Sequence, residues 1–371
     1  MKFAETFPPG EFLKEELESR NWNQTELAEI IGRPIKLVNE IILGKRAITP
    51  ETAIQLGEAL GTGPELWMNL ESQYALSKVA PSNNAVSRRS KLYEKFPVRE
   101  MIKRGWICAT ESIDTLEQQF VRYFDLKSME DELVIPAHAA KKSSESVTGL
   151  QLAWLIAARR LASRVVVAPY TWDALRDALP RLQALMSAPE EAQHVTRLLN
   201  ECGVRFVVVE ALASSKIDGA CFWLDGSQPA IALSTRLDRI DNFWFVLRHE
   251  VEHVLCEHGK QATVIFDEDL SDESNENQIE EERAANHAAS VFPFDRAEFE
   301  NYIVTVQPYY FAEQKVLNFS ARLGIHPGIV VGKLQRRFGE YQYLRAHLVK
   351  TRHIVVQSAP HDGWGNFAVG A

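Results

Sequence analysis

His249-Glu250-Val251-Glu252-His253 stands inside an apolar run that includes Phe243, Phe245, Val246, Val251, Val254 and Leu255. The apolar spacing predicts a long, mostly buried helix over Asp241 to His258. On such a helix residues four apart share a face, so the two imidazoles can hold one Zn²⁺ between them. Glu250, between them, can act as general base toward an attacking water. Charged groups within a buried helix need partners, and a metal would be one. Zinc of this kind takes a third protein ligand and leaves one position open. Downstream, Asp267 to Glu282 is the most acidic stretch of the chain and has no basic residue. It ends in Glu280, Glu281 and Glu282, followed by Ala285, Ala288, Ala289 and Phe292 on one helical face. Glu281 and Glu282 flank that face on opposite sides, while Glu280 and Arg283 point away, so spacing does not choose between the two flanking glutamates.

Upstream of the long helix the period changes to two. Val204 to Leu212 is β-rich, with Phe206, Val207, Val208 and Val209 in a row. Ala220 to Leu224 and Ala230 to Ser234 flank the turn residues Asp225 to Pro229, a hairpin signal. The expected fold class is mainly α with a small antiparallel sheet (α+β), and the strand Ala230 to Ser234 is a candidate edge for an extended peptide. Phe96 to Cys202 reads as helices over Gln151–Ser163, Thr171–Met186 (bent or broken at Pro180) and Pro189–Cys202, stopped by Gly203. Ala297 to Val356 reads as further helices with one late strand, His353 to Gln357, and a loose tail after Ser358. Leu317 to Phe338 has a helix-Gly-helix form ending in Arg336 and Arg337, which suits packing against the metal-bearing region better than a second nucleic-acid contact.

Pro9 to about Leu76 reads as a tight run of short helices. Gln24 to Gly44 has the form of two helices and a turn. Asn23 or Thr25 can cap the first helix, whose apolar face is Leu27, Ile30 and Ile31. Gly32 suits a turn that needs positive φ, and Pro34 suits the opening of the second helix. Leu37, Val38, Ile41 and Ile42 pack inward. Ile35, Lys36 and Asn39 then face outward near the N-terminal end, where such a helix reaches base edges in the major groove. Lys45 and Arg46 suit phosphates, and Gln24 and Arg33 complete the candidate DNA-facing set.

The bulk numbers bound these readings. A chain of 371 residues holds two or three domains. The expected boundaries are 1–77, a linker at 78–95, a helical region at 96–203, the metal-bearing domain at 204–310 and a helical extension at 311–371. The formal net charge of −9 means that DNA contact must come from a local patch. Among residues 1–80 there are twelve acidic and eight basic side chains, which weakens phosphate attraction. Cys108, Cys202, Cys221 and Cys256 form no CxxC pair, which argues against a disulfide framework and a cysteine zinc site. Leu150 to Ala162, broken by Arg159 and Arg160, falls short of a membrane span. A reducing cytoplasm, with no membrane partner, is the expected home.

Two resemblances sharpen these expectations. Ile31-Gly32-Arg33-Pro34, then Leu43-Gly44-Lys45-Arg46-Ala47-Ile48-Thr49-Pro50-Glu51, then Pro64-Glu65-Leu66-Trp67-Met68-Asn69-Leu70 resembles the HigA antitoxin branch of the Cro/repressor-like helix-turn-helix family. This likeness implies a five-helix domain that dimerises on palindromic operator DNA and represses its own operon. Pro34 departs from the family's capping serine. His249 to His253, followed by Glu282-Arg283-Ala284-Ala285-Asn286-His287-Ala288-Ala289 and Pro293, is similar to the ImmA/IrrE metallopeptidases, over Val204 to Pro293. It implies a zincin-like fold, with His249, His253 and Glu282 as zinc ligands and Glu250 as general base. Glu252 and His287 depart from the glycine and phenylalanine common there.

Relatives of that peptidase cleave helix-turn-helix repressors. Together the two parts imply a regulator whose zinc-dependent endopeptidase cuts a partner repressor or its own linker. The alternative is an antitoxin-type repressor that neutralises a neighbouring toxin and carries a non-catalytic zinc or sensing domain. Phe96-Pro97 and Arg104-Gly105-Trp106 recur between these two parts in similar fusions, without a chemical role of their own.

Overall fold

The computed structural model describes residues 7–79, 84–129, 139–141, 148–258, 260, 264–268 and 280–367. They divide into two compact units, Met1–Val86 and Ser87–Ala371.

The first unit holds α1 (Pro9–Arg20), α2 (Gln24–Ile30), α3 (Ile35–Ile42), α4 (Pro50–Leu60) and α5 (Pro64–Lys78). Local chemistry sets their ends. Prolines open α1, α4 and α5, where a missing N–H costs nothing. Asn23 accepts from the Thr25 and Glu26 amides, and Glu26 returns a bond to the Asn23 amide, a complete capping box. Gly32 takes φ +64° between α2 and α3. Pro34 caps α3 without a side-chain bond, so this helix start is held less firmly than one capped by serine. Leu13, Leu27, Val38, Ala53, Leu56 and Trp67 form a fully buried core. Gly10 lets α1 touch α3: a Cβ there would stand 2.6 Å from the Ile42 carbonyl oxygen. Ile30, expected inside, is 49% exposed, and Ala28 takes its place in the core. A strict 3.6-residue count spreads the apolar face of a seven-residue helix too widely.

The second unit begins within α6 (Ala85–Lys95) and goes on with α7 (Val98–Lys103) and α8 (Ile113–Phe124), then β1 (Ala139–Lys141), α9 (Gly149–Ala162), α10 (Trp172–Ala184) and α11 (Val195–Glu201). It continues with β2 (Arg205–Val209), β3 (Ile217–Trp223), β4 (Pro229–Leu233), α12 (Ile240–Leu255) and β5 (Val264–Glu268). Then come α13 (Glu280–Val291), α14 (Arg296–Val306), α15 (Glu313–Leu323), α16 (Pro327–Phe338), α17 (Arg352–Val355) and β6 (His361–Asp362). The sheet order is β1-β5-β3-β4-β2-β6. β3 runs antiparallel to β4 and β5, while β2 is parallel to β4 and β6, and β1 is parallel to β5.

The sheet is therefore mixed, not antiparallel. The hairpin β3–β4 forms as its turn residues predict, but β2 reaches β4 past β3, a pairing no local signal encodes. β4 has a neighbour on each side, so the expected peptide-binding edge at Ala230 to Ser234 is an interior strand. β3 and β4 are buried throughout, because both faces are covered. Phe206, Val208, Cys221, Trp223, Ile231 and Leu233 join one core with α12. On the other face Arg159 of α9 stacks over Phe222, and Trp154 of α9 donates to the Val209 carbonyl. Near-continuous apolar runs such as Phe206 to Val209 are what two covered faces require.

Several boundaries move. Most of the expected linker is the helix α6, and residues 80–83 lie outside the described residues. Pro180 sits inside an unbroken α10. The expected late strand is α17. The tail is ordered through residue 367 and adds β6 beside β2. Trp106 donates to Asp362 at 2.7 Å, and Arg104, buried, donates to the Glu210 and Ala211 carbonyls. Arg104-Gly105-Trp106 thus ties the segment before α8 to the end of β2 and to the tail. Residues from 175 to 359 contribute to one core cluster. α16 buries Ile329, Val330, Val331 and Leu334 against that core, which fits the packing role of the helix-Gly-helix segment. No helix among the described residues is long and apolar enough to cross a membrane.

Candidate metal centre and DNA-facing helix

α12 carries His249, Glu250 and His253 into the core, and α13 packs beside it with Glu282 in its first turn. The histidines are fully buried and Glu282 is 2% exposed. Both histidines turn Nε2 inward, 2.9 Å apart. Glu282 Oε2 lies 3.6 Å from His249 Nε2, and Oε1 lies 3.4 Å from His253 Nε2. Ligands about 2 Å from a tetrahedral metal stand roughly 3.3 Å from one another. The three distances bracket that value, so two imidazoles and one carboxylate fit a zinc ion in spacing as well as in donor chemistry. Burying such a group of ionisable side chains costs several kcal/mol, of order, and a divalent cation satisfies all three at once.

The glutamates at the start of α13 separate by burial. Glu282 faces inward, whereas Glu280 and Glu281 are exposed. Residues 269–279 of the acidic stretch lie outside the described residues. His287 is exposed, away from the cluster. Glu252 pairs with Arg248 one turn back, at 2.6 Å, and the Arg248 guanidinium stacks over Phe292. Its charge is thus partnered on its own helix. Cys256 is exposed, and partial covering of its sulfur, with the neighbouring Glu252 next in effect, holds its thiol above the ordinary range.

Glu250, between the two histidines along α12, is fully buried. Its carboxylate lies against the backbone of β3 at Gly219: a Cβ there would overlap Oε1 and stand 3.0 Å from Cδ. The ladder between β3 and β5 shifts register between Ile217 and Gly219. Next to it Asp218 is clamped by Arg236 through two bonds, 3.0 and 3.1 Å. Sequence reading had no signal for Gly219, since the approach of strand to helix is tertiary. His258 turns its Nδ1 to Nδ1 of His253 at 2.8 Å, and burial, with His253 next in effect, holds it below the usual histidine range.

In the first unit the outward positions of α3 are as its periodicity predicts. Ile35 is 49% exposed, and Lys36 and Asn39 are exposed. Lys45 and Arg46 follow on the exposed turn, and Gln24 and Arg33 are half-buried. Arg33 is engaged: its Nε donates to Gln55 Oε1 at 2.9 Å, with Glu51 at 3.6 Å. Glu40 lies between Lys36 (3.9 Å) and Arg46 (3.0 Å). This acid on the same helix partly neutralises two of the cations expected to meet DNA.

Residues 13–67 match the helix-turn-helix family. YddM, an uncharacterised helix-turn-helix-type transcriptional regulator of Escherichia coli K12, is 33% identical over 92 residues, 25% of this chain and 97% of that protein. Virulence-associated protein A of Dichelobacter nodosus is 40% identical over 75 residues, 20% of this chain and 74% of its own length. Among solved structures, antitoxin HigA of Pseudomonas aeruginosa, determined with the higBA promoter, is 30% identical over 25% of this chain and 97% of its own, with a TM-score of 0.20. An addiction-module antidote protein of the HigA family from Coxiella burnetii is 30% identical over 25% of this chain and 96% of its own, with a TM-score of 0.19. Through its first unit, the chain belongs to the helix-turn-helix family of transcriptional regulators.

Proposed function

We propose that this chain is a HigA-like, operator-binding regulator whose second unit is a zinc-dependent endopeptidase acting on a repressor-like protein or on the chain itself. The observation that carries the enzymatic part is the convergence of His249, His253 and Glu282, whose ligand atoms all lie within 4.8 Å of one another, with Glu250 buried on the same helix. His249 Nε2, His253 Nε2 and a Glu282 oxygen would hold the ion. Zinc supplies a Lewis acid that polarises a peptide carbonyl and makes water more acidic. Glu250 supplies the proton acceptor: its carboxylate takes a proton from the attacking water and returns it to the leaving nitrogen. The wall of β3 at Gly219 sets how far that carboxylate can swing. In the first unit, Asn39 and Lys36 on α3 would meet base edges, and Lys45 and Arg46 would meet phosphates of operator DNA. A homodimer would match a palindromic operator.

A second reading has its own support. Glu250 and both histidines have no exposed surface, which favours a metal that senses or stabilises without turnover, in an antitoxin-type repressor that neutralises a toxin.

The discriminating experiment uses zinc-loaded full-length chain, wild type and Glu250→Gln, incubated alone and with a helix-turn-helix repressor encoded beside it. Mass spectrometry would read fragments. The enzymatic reading expects cleavage by the wild type and a loss of about 10²–10⁴-fold in the variant, at equal zinc content. Zinc bound equally with no fragments from either protein would leave the sensing reading.

A further inference from the structure

The end of α12 is built in an unusual way. The helix stops at Leu255, Cys256 is its C-cap, and Glu257 takes the left-handed conformation at φ +54°. The Glu257 amide donates to the Val254 carbonyl at 3.1 Å and the His258 amide to the His253 carbonyl at 2.9 Å. This is a Schellman turn, which normally places glycine at the left-handed position and an apolar residue against the helix one turn back. Here a glutamate stands in the strained position, where a non-glycine residue is a mark of a constrained site. The usual apolar contact is replaced by two imidazoles, His258 on His253, joined Nδ1 to Nδ1 at 2.8 Å. From the other side, Trp223 of β3 donates to the His258 carbonyl at 2.9 Å.

We propose that His258 is a positioning residue for the metal ligand His253, holding its ring so that Nε2 faces the cation. This rests on the zinc reading above. A ring that ligates through Nε2 carries its proton on Nδ1, so His253 Nδ1–H donates and His258 Nδ1 accepts. The second proton position of His258 is then Nε2. Metal-bound histidines are usually oriented by a carboxylate or a carbonyl. Unlike a carboxylate, an imidazole accepts that bond without adding negative charge next to the cluster.

The test measures zinc affinity of the full chain by chelator competition for wild type, His258→Leu and His258→Asn. Leucine supplies the apolar contact that the turn ordinarily uses, so the metal-free protein is expected to melt as the wild type does. Its zinc dissociation constant is expected to rise about 10–100-fold. Asparagine, whose side-chain carbonyl can accept from Nδ1–H, is expected to recover most of that loss. Wild-type affinity in the leucine variant, or an asparagine variant as weak as leucine, would overturn the assignment and leave the metal site standing. A wild-type chain that takes no zinc would overturn both.

Discussion

α3 and α12 place their functional residues in opposite ways. On α3 the apolar positions Val38 and Ile41 hold the helix down, and the residues offered for recognition, Ile35, Lys36 and Asn39, are the exposed remainder. On α12 the chemistry lies within the core itself: His249, Glu250 and His253 are as buried as Val246, Leu247 and Val254. A surface helix can exchange its polar residues with little effect on the fold. A helix that buries ionisable groups requires each neighbour to fit, because an unpartnered buried charge is expensive. The contrast predicts where substitutions act. Changes on the exposed face of α3 should alter binding alone, and changes around α12 should alter stability and chemistry together.

The largest effect expected from one side chain is in the first unit's core. Leu27→Ala, which leaves a hole beneath the recognition helix, should cost about 2–5 kcal/mol. It should abolish operator binding in a mobility-shift assay while zinc content stays at the wild-type value. Zinc lost in step with DNA binding would break the independence of the two units' cores. Gly219→Ala sharpens the other side. The added methyl meets Glu250, and overpacking of this kind costs about 1–3 kcal/mol. Calorimetry should show a lower melting temperature, and any peptide cleavage should fall while zinc is retained. An unshifted melting temperature would mean that Glu250 is not pressed against β3. The smallest change is Asn39→Ala. It should leave the melting temperature alone and remove about 1–3 kcal/mol of discrimination at one base pair, read by comparing operator variants at fixed salt. Equal weakening on every sequence would make Asn39 a backbone contact.

The same contrast explains what the sequence made legible. Outward positions on α3 follow from a 3.6-residue period, and the His-x-x-x-His spacing follows from one helical turn. Choosing Glu282 over Glu281 was beyond spacing, since both flank the apolar face of α13, and only packing on α12 makes one buried and the other exposed. The β3–β4 hairpin has its turn written in Asp225 to Pro229. The parallel pairing of β2 with β4, and of β6 with β2, joins segments far apart in the chain and has no local signature. Of the two outcomes open at Pro180, a bend or a break, α10 continues through it unbroken. The return of His258 onto His253 follows from the left-handed turn at Glu257, and an αL glutamate is not announced by residue type.

The most direct test of the account is zinc per chain by elemental analysis, on the wild type and on His249→Ala/His253→Ala. The account predicts about one zinc per chain in the wild type and none retained in the double variant. Metal-free wild type after purification without chelators, or equal zinc in both proteins, would contradict it.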